Sequence, residues 1–294
     1  MNIKFNRYFL GYLFILPSAA LLIFWFYVPV VWTFILSFQN WNGFLRRSWV
    51  YFDNYTRGFH DPNYLSSIWK SVYLAVGTTA GALLLGLLMA LLVYSVGKKE
   101  GSVYRLIFAM PLMVPTAIIG VLFTFAFNPV VGIINNFLRL IGLGNWSQAW
   151  LENFHTVMPS LISVGVWRLA GLNMILIFAG LTLIPKSMLE AAKIEGAGFI
   201  KQIFMVLLPL TRPIIALAAL YTLTLGFKTF DIVYTLTRGG PADLTKTVPL
   251  YMTETAFTYS EFGYASSLGI IMTLVTVLVI VIFNRLLKGD HYEF

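Results

Sequence analysis

The chain has 294 residues, of which 59% are hydrophobic and 11% are charged, and its formal net charge is +8. Because soluble domains carry roughly 25% charged residues, this composition excludes an ordinary soluble domain and indicates an integral membrane protein. The positive charge alone would suit nucleic-acid binding, but the basic residues cluster at the ends of apolar runs, as membrane topology requires. The absence of cysteine excludes disulfides and thiolate metal sites.

Apolar runs long enough for a membrane span recur along the chain. A helix that crosses the hydrocarbon needs about 20 mostly apolar residues, and no polar linker divides these runs into separate domains. We therefore expect an all-α membrane protein with six transmembrane helices in a single transmembrane domain over residues 1–294. The predicted spans are residues 10–37, 68–96, 105–127, 156–184, 213–233 and 264–286.

The first span, 10–37, is predicted to be an N-terminal helix that precedes a core of residues 68–286. The alternative is a signal peptide, because Lys4 and Arg7 come before the apolar run. A signal peptide has an apolar core of only about 7–15 residues, so a retained helix is favoured.

Basic residues are more numerous on the side of the membrane that is predicted to hold both termini. By the positive-inside rule, this excess places the termini and the loop 185–212 in the cytoplasm. The basic residues on that side are Lys4, Arg7, Lys98, Lys99, Arg105, Lys186, Lys193, Lys201, Arg212, Arg285 and Lys288. Those on the other side are Arg46, Arg47, Arg57, Lys70, Arg139, Arg238 and Lys246.

The second span carries Gly77 and Gly81 at the GxxxG spacing, and Gly86 follows them. Small residues let membrane helices approach closely. The pattern predicts a seam between two helices, either one that slides during function or one of ordinary packing.

Motifs for several other functions are missing. The sequence has no GxxxxGK[ST] nucleotide loop and no HExxH zinc motif, so we expect no nucleotide, cofactor or metal to be bound by this chain. The sequence contains no TVGYG-like filter, so it does not indicate a channel. Charged residues inside the spans are few, which argues against a stand-alone proton-coupled carrier. They are Arg168, Lys228 and Asp231, and the last two are expected to share a helix face and to pair.

Neutral polar residues predict a lining for a polyol ligand. Thr222, Gly226 and Thr229 of the fifth span fall on one face of a helix, and Asn173 lies within the fourth span. Hydroxyl and amide groups offer hydrogen bonds without charge. The alternative is that these hydroxyls bond back to their own helix backbone.

The polar loop 185–212 lies between the fourth and fifth spans. Ser187 is expected to cap a short helix, with Glu190 as its capping-box partner. Ala191 and Ala192 favour helix and present a small surface.

Glycines then interrupt that helix. Gly196 and Gly198 allow a sharp turn, after which an amphipathic helix is expected to lie at the membrane interface. Pro209 and Pro213 bracket the return of the chain to the membrane.

The spacing of this loop resembles that of a known family. Glu190-Ala191-Ala192, Gly196 after three residues, Val206 after nine more, and then Leu208-Pro209 resemble the EAA loop of ABC importer permeases, which reads EAA-x3-G-x9-I-x-LP. Val206 replaces the usual Ile, which is conservative. Four further stretches are similar to motifs of carbohydrate-uptake permeases and occur in the same order: Asp53–Tyr55, Phe127–Pro129, Phe227–Ala242 and Gly263–Ser266.

The resemblance implies a type I ABC importer permease fold and a role in transport rather than in enzyme catalysis. It implies a second permease, most simply a different chain, two ATPase subunits that carry ATP and Mg, an extracytoplasmic solute-binding protein, and a sugar as cargo. The chain would lie among the lipids of a bacterial or archaeal cytoplasmic membrane and would bind no nucleic acid. An alternative cargo is glycerol phosphate or another charged solute.

The resemblance also implies roles for individual residues. The loop would couple to the ATPase, and the helices on either side of it would contact the substrate. The implied coupling residues are Glu190, Ala191, Ala192, Gly196 and Pro209, and the implied substrate-path residues are Asn173, Thr222, Gly226 and Thr229.

Overall fold

A computed structural model describes residues 7–44 and 47–287. Lys4, Arg46 and Lys288, which enter the orientation argument, lie outside the described residues. The chain falls into two compact units: the first comprises the chain up to Leu65 with Met252–Thr273, and the second comprises Ser66–Tyr251 with the chain from Leu274. The single transmembrane domain therefore stays a prediction, and each unit is described separately.

The first unit begins with the N-terminal span. Helix α1 (Arg7–Leu22) passes through a π-helical turn (Ile23–Tyr27) into helix α2 (Val28–Leu36). The π turn comes just before Pro29, which has no N–H for the usual helical hydrogen bond. Pro17 is tolerated inside α1. The observed helix matches the predicted span 10–37 closely.

A short hairpin and helix follow α2. Strands β1 (Gln39–Asn40) and β2 (Ser48–Trp49) pair antiparallel, and helix α3 covers Asp53–His60. The Asn54 amide donates to the carbonyl oxygens of Ser37 (2.9 Å) and Gln39 (3.0 Å). This residue of the Asp53–Tyr55 motif therefore attaches α3 to the end of α2.

A charged cluster completes the first unit. Arg57 forms a bidentate ion pair with Glu261 (3.1 and 2.9 Å), and its guanidinium lies 3.8 Å from the centre of the Tyr264 ring. The hydrogen bond from Arg57 to Glu261 raises the pKa of Arg57. The Tyr264 hydroxyl in turn donates to Asp61 at 2.8 Å, so the tyrosine of the Gly263–Ser266 motif joins this network.

The spans of the second unit match the hydropathy pattern except at two breaks. Helix α4 covers Pro62–Ser95 and begins in the first unit. Helices α5 (Lys98–Met113) and α6 (Thr116–Ala126) replace the single predicted span 105–127, and they are bent by 95°. The predicted span is thus observed as a bent pair of helices, because Val114 precedes Pro115 and the residue before a proline is driven into extended backbone.

The second break lies in the predicted span 213–233. Between the two breaks, the chain forms helix α7 (Ile133–Leu140) and helix α8 (Val157–Leu183), and α8 matches the predicted fourth span. Helix α11 (Leu208–Phe227) then ends before the predicted boundary, and a separate helix α12 (Asp231–Leu236) follows. The expected pairing of Lys228 with Asp231 on one helix face is therefore wrong.

The remaining helices complete the set of spans. Two short helices, α9 (Lys186–Ile194) and α10 (Phe199–Gln202), lie between α8 and α11. Helix α13 (Val248–Thr253) leads through a π turn (Glu254–Thr258) to the last helix, α14 (Phe262–Leu287), which belongs partly to each unit. In the described ranges, five helices are long and apolar enough to cross a membrane, and the bent pair brings the number to six.

The glycine seam predicted in the second span packs against α8. A Cβ atom at Gly77 would lie 2.7 Å from Ile162, and one at Gly81 would lie 2.5 Å from Val166. A Cβ atom at Gly86 would lie 2.6 Å from the Asn173 Cβ and 2.8 Å from the Ala170 carbonyl oxygen. The absence of side chains at the seam lets the two helices approach closely.

We predict that Gly86→Ala destabilises the protein. Its methyl group would meet the backbone of α8 at Ala170, which cannot move aside as a flexible side chain can. Overpacking of this kind costs about 1–3 kcal/mol. Thermal unfolding in detergent measures the effect, with Gly144→Ala as the control because its nearest neighbour would be 3.7 Å away. Equal melting temperatures for the two variants would contradict the close contact.

Candidate functional site

The loop 185–212 starts with a helix that has no side-chain cap. Helix α8 ends at Leu183, and Pro185 is the N-cap residue of α9 in an extended conformation. No side-chain hydrogen bond caps the helix, so the predicted capping box of Ser187 and Glu190 does not form. Proline replaces it because its fixed φ suits the start of a helix.

The exposed surface of α9 combines one carboxylate with small and apolar side chains. Glu190 and Ala191 are exposed, and Ala192 is half-buried. Ile194, at the end of the helix, is 88% exposed. The surface of α9 thus presents the apolar side chain of Ile194 together with the carboxylate of Glu190.

The helix ends in a turn that requires glycine. The Ala197 N–H donates to the Ala192 carbonyl (2.9 Å) and the Gly196 N–H donates to the Lys193 carbonyl (3.0 Å), which is the Schellman arrangement. Gly196 has φ +79, and nothing lies within 4 Å of the position that a Cβ would take. The backbone conformation, rather than a crowded neighbour, therefore accounts for glycine at this position.

The chain after the turn forms one helical rod, not two elements. The buried Gln202 amide donates to the Ala197 carbonyl at 2.7 Å and fixes the start of this rod. Helix α10 runs through a π turn (Ile203–Leu207) into α11, and the apolar helix spans Phe199–Phe227. The expected separate interfacial helix is thus a direct extension of the fifth span. Pro209 lies at its N1/N2 position after the π turn, where no backbone N–H is needed.

Two of the predicted substrate-path residues bind each other. Asn173 and Thr222 are both fully buried. The Asn173 amide donates to the Thr222 hydroxyl at 2.9 Å, and that hydroxyl donates to the Asn173 carbonyl oxygen at 3.1 Å. The Asn173 amide also donates to the Leu169 carbonyl (2.9 Å). In this conformation the pair holds α8 to α11, and its role in a substrate path stays a prediction.

The other two substrate-path residues lie near the end of α11. A Cβ at Gly226 would lie 2.8 Å from the Ala75 Cα, so this glycine admits the backbone of α4. Thr229 is half-buried just past the end of the helix, and its hydroxyl donates back to the Leu225 carbonyl at 3.3 Å. The structure thus brings Asn173 and Thr222 together and leaves Thr229 outside that pair.

The charged residues that the sequence singled out have different surroundings from those expected. Asp231 begins α12 and accepts a hydrogen bond from the Thr116 hydroxyl at the start of α6. Lys228 is exposed and forms no ion pair within the described part of the chain. The Thr116–Asp231 contact joins the two breaks in the spans, which hydropathy could not predict. Among residues 7–44 and 47–287, no group of three His, Cys, Asp or Glu residues is arranged to hold a metal.

Comparison with known families gives a match over most of the chain. The family described as "Binding-protein-dependent transport system inner membrane component" matches residues 82–289. This range starts within α4 and includes the loop 185–212 and helices α8 and α11.

Individual relatives match over nearly their full length. The probable ABC transporter permease protein YurN of Bacillus subtilis is 32% identical and covers 90% of this chain and 91% of its own. The diacetylchitobiose uptake system permease protein NgcF of Streptomyces coelicolor is 30% identical, over 99% and 87%. The sn-glycerol-3-phosphate transport system permease protein UgpA of Shigella flexneri is 30% identical, over 98% of each.

A solved structure shares the fold. It belongs to a bacterial ABC transporter involved in the import of the acidic polysaccharide alginate. The TM-score is 0.82, and the match covers 96% of each chain with 22% identity. The likeness extends to the whole architecture described above.

We predict that Thr222→Val lowers the stability of the protein by about 0.6–2 kcal/mol, the range for a hydrogen bond between membrane helices. The double variant Asn173→Leu/Thr222→Val should recover part of this loss, because no buried amide is then left without its partner. A double-mutant cycle of thermal unfolding measures the coupling. Purely additive effects would contradict the mutual bond.

Proposed function

Because the chain belongs to the family of inner membrane components of binding-protein-dependent transport systems, we propose that it forms half of the translocation path of an ATP-driven sugar importer. The single observation that carries the proposal is the exposed loop between α8 and α11, which bears the EAA spacing within the family match. As a member of this family the chain is a multi-pass membrane transport subunit and not an enzyme.

The loop is proposed to be the contact with the ATPase. Glu190 and Ala191 are exposed and Ile194 is 88% exposed. Helix α9 therefore offers a small docking surface with one carboxylate between two exposed lysines, Lys186 and Lys193. The loop follows α8 directly, and the rod that contains α11 starts at the turn of Gly196. A displacement of α9 would therefore act on both helices, which is how ATP binding would move the transport path.

The partners follow from the family as proposals. A second permease would complete the path, two ATPase subunits would hold ATP and Mg, and a solute-binding protein would deliver the cargo outside the cytoplasm. The excess of basic residues on the side of the loop supports cytoplasmic termini. A stand-alone carrier is disfavoured because the family is binding-protein-dependent.

The cargo is proposed to be a sugar or oligosaccharide. NgcF supports this class by its name, and UgpA supports the alternative, glycerol phosphate, at the same identity. Asn173, Thr222, Gly226 and Thr229 remain the proposed path residues. For the first two, the mutual hydrogen bonds would have to open in another state of the transport cycle.

We predict that ATP hydrolysis by the reconstituted complex rises when its binding protein is loaded with one member of a panel of mono- and oligosaccharides. Glu190→Ala should reduce this stimulation about tenfold or more, because it removes the one carboxylate on the exposed surface of α9. Glu195→Ala, at the end of the same helix, is the matched control. Uptake by this chain without an ATPase would overturn the proposal, and stimulation by glycerol phosphate alone would change the cargo.

We predict that Gly196→Leu separates ATP hydrolysis from transport, so that hydrolysis continues while uptake falls. Leucine at φ +79 is strained and would distort the turn between α9 and the following rod. Gly198→Ala is the control, because Gly198 has φ −65 and open space around it. A normal ratio of sugar transported to ATP hydrolysed in Gly196→Leu would contradict the role of this turn.

A further inference from the structure

Two polar residues of the second unit meet where two helices break, and a third lies within Coulombic range of one of them. Helix α6 begins at Thr116 directly after the 95° bend, and α12 begins at Asp231 after α11 has ended. The Thr116 hydroxyl donates to the Asp231 carboxylate, and Arg168 of α8 lies within Coulombic range of that carboxylate. We call Arg168, Thr116 and Asp231 the Arg168 cluster.

One nitrogen of the Arg168 guanidinium has no hydrogen-bond partner among the described residues. This nitrogen is Nε, which is buried, and no ion pair within 4 Å joins Arg168 to a carboxylate in the described ranges. Fifteen residues separate Arg168 from Leu183, about 22 Å of helix at 1.5 Å per residue, so it lies inside the span. Charged residues at such depth usually face a solute path and have a functional role.

The Arg168 cluster offers both hydrogen-bond donors and hydrogen-bond acceptors. Arg168 offers only donors, and the Asp231 carboxylate offers only acceptors. Asp231 is exposed at the surface of this chain although its neighbours Ile232 and Val233 are buried. A hydroxyl group both donates and accepts, so neighbouring hydroxyls of a saccharide can accept from Arg168 and donate to Asp231. An anionic group would gain from Arg168 but would be repelled by Asp231.

A second site disfavours an anion independently. A cavity of about 400 Å³ lies at the other ends of α6 and α12, where Phe127 and Thr237 are among its lining residues. Its only charged lining residue is Glu152, which is exposed and has no ion pair in the part of the chain that is described. A solute that moved along α6 and α12 would thus encounter a carboxylate at each end.

We propose that the Arg168 cluster binds the hydroxyl groups of a neutral saccharide and is the position at which this chain selects neutral against acidic cargo. The inference rests on the proposed transport function and narrows its cargo. It differs from the predicted lining, because Asn173 and Thr222 bond to each other whereas the Nε of Arg168 has no partner in the described residues.

The first test measures uptake by the reconstituted complex with its binding protein. The neutral probes are glucose, maltose, cellobiose, raffinose and diacetylchitobiose, and the acidic probes are glycerol 3-phosphate and glucuronate. Arg168→Met is expected to raise the KM for the transported neutral sugar about tenfold or more, as expected for the loss of a hydrogen bond to a charged group. Arg168→Lys should have a smaller effect. Lys228→Met, which removes a nearby cation without an ion pair, should leave KM unchanged.

The double variant Arg168→Met/Asp231→Asn separates binding from structure. If the two residues bind the ligand, the double variant has a KM at least as high as that of Arg168→Met. If they only neutralise each other, it recovers both complex assembly and KM, which would overturn the proposal. Asp231→Asn should improve transport of an acidic probe, because the carboxylate that repels it is removed, and an unchanged preference for neutral over acidic probes would also overturn the proposal.

A second test does not depend on transport, and it uses the absence of cysteine in this chain. Thr116→Cys is labelled in the assembled complex with a water-soluble thiosulfonate, and labelling of this chain is measured by mass. We expect labelling that a neutral saccharide from the panel prevents. No labelling in any nucleotide state, or protection by acidic probes alone or by none, would overturn the cluster as a saccharide site. Failure of uptake with retained protection would instead count against the proposed transport function.

Discussion

Every break in a membrane helix leaves backbone N–H and C=O groups that hydrocarbon cannot satisfy. The second unit nonetheless has breaks between α5 and α6 and between α11 and α12. The helices α5 and α6 together are long and apolar enough for one span, and α11 is part of another. Protein groups meet this demand at the breaks: the Val114 N–H donates to the Pro111 carbonyl, the Thr229 hydroxyl donates to the Leu225 carbonyl, and Thr116 joins Asp231 across the two breaks. The positions of the polar residues therefore follow from where the helices cannot continue.

Hydropathy predicted where the spans lie, because burial in lipid acts on about 20 residues together. It could not predict the bend at Val114–Pro115, since one proline barely changes the average of its window. The end of the fifth span at Phe227 was missed because the residues after it, up to Val233, keep the average hydropathy of the window high. The contact of Asn173 with Thr222 joins residues 49 positions apart, and spacing within one helix carries no information about such a partner.

The loop 185–212 was predictable for a different reason. Gly196 follows a helical segment, and a Schellman turn places its C′ residue in the left-handed conformation. Glycine adopts this conformation without steric strain because it has no Cβ. The observed φ of +79 is the conformation that this residue type permits. The predicted capping box does not form because the helix begins earlier, with Pro185 as its N-cap residue. Ser187 therefore lies inside the first turn and cannot cap it. Local backbone chemistry thus predicts the turn, whereas the exposure of Ile194 could be seen only in the folded structure.

The polar groups within the spans divide into two kinds. Asn173 and Thr222 form reciprocal hydrogen bonds in a fully buried contact, so a ligand could use them only by displacing bonds that already exist. Arg168 has a buried donor without a partner in the described residues, and Asp231, the carboxylate within its Coulombic range, accepts a hydrogen bond from Thr116. A bilayer penalises an unsatisfied cation more than an unsatisfied amide, so an acceptor from outside the chain at this nitrogen would stabilise the cluster. A neutral hydroxyl supplies that acceptor without adding a second negative charge beside Asp231.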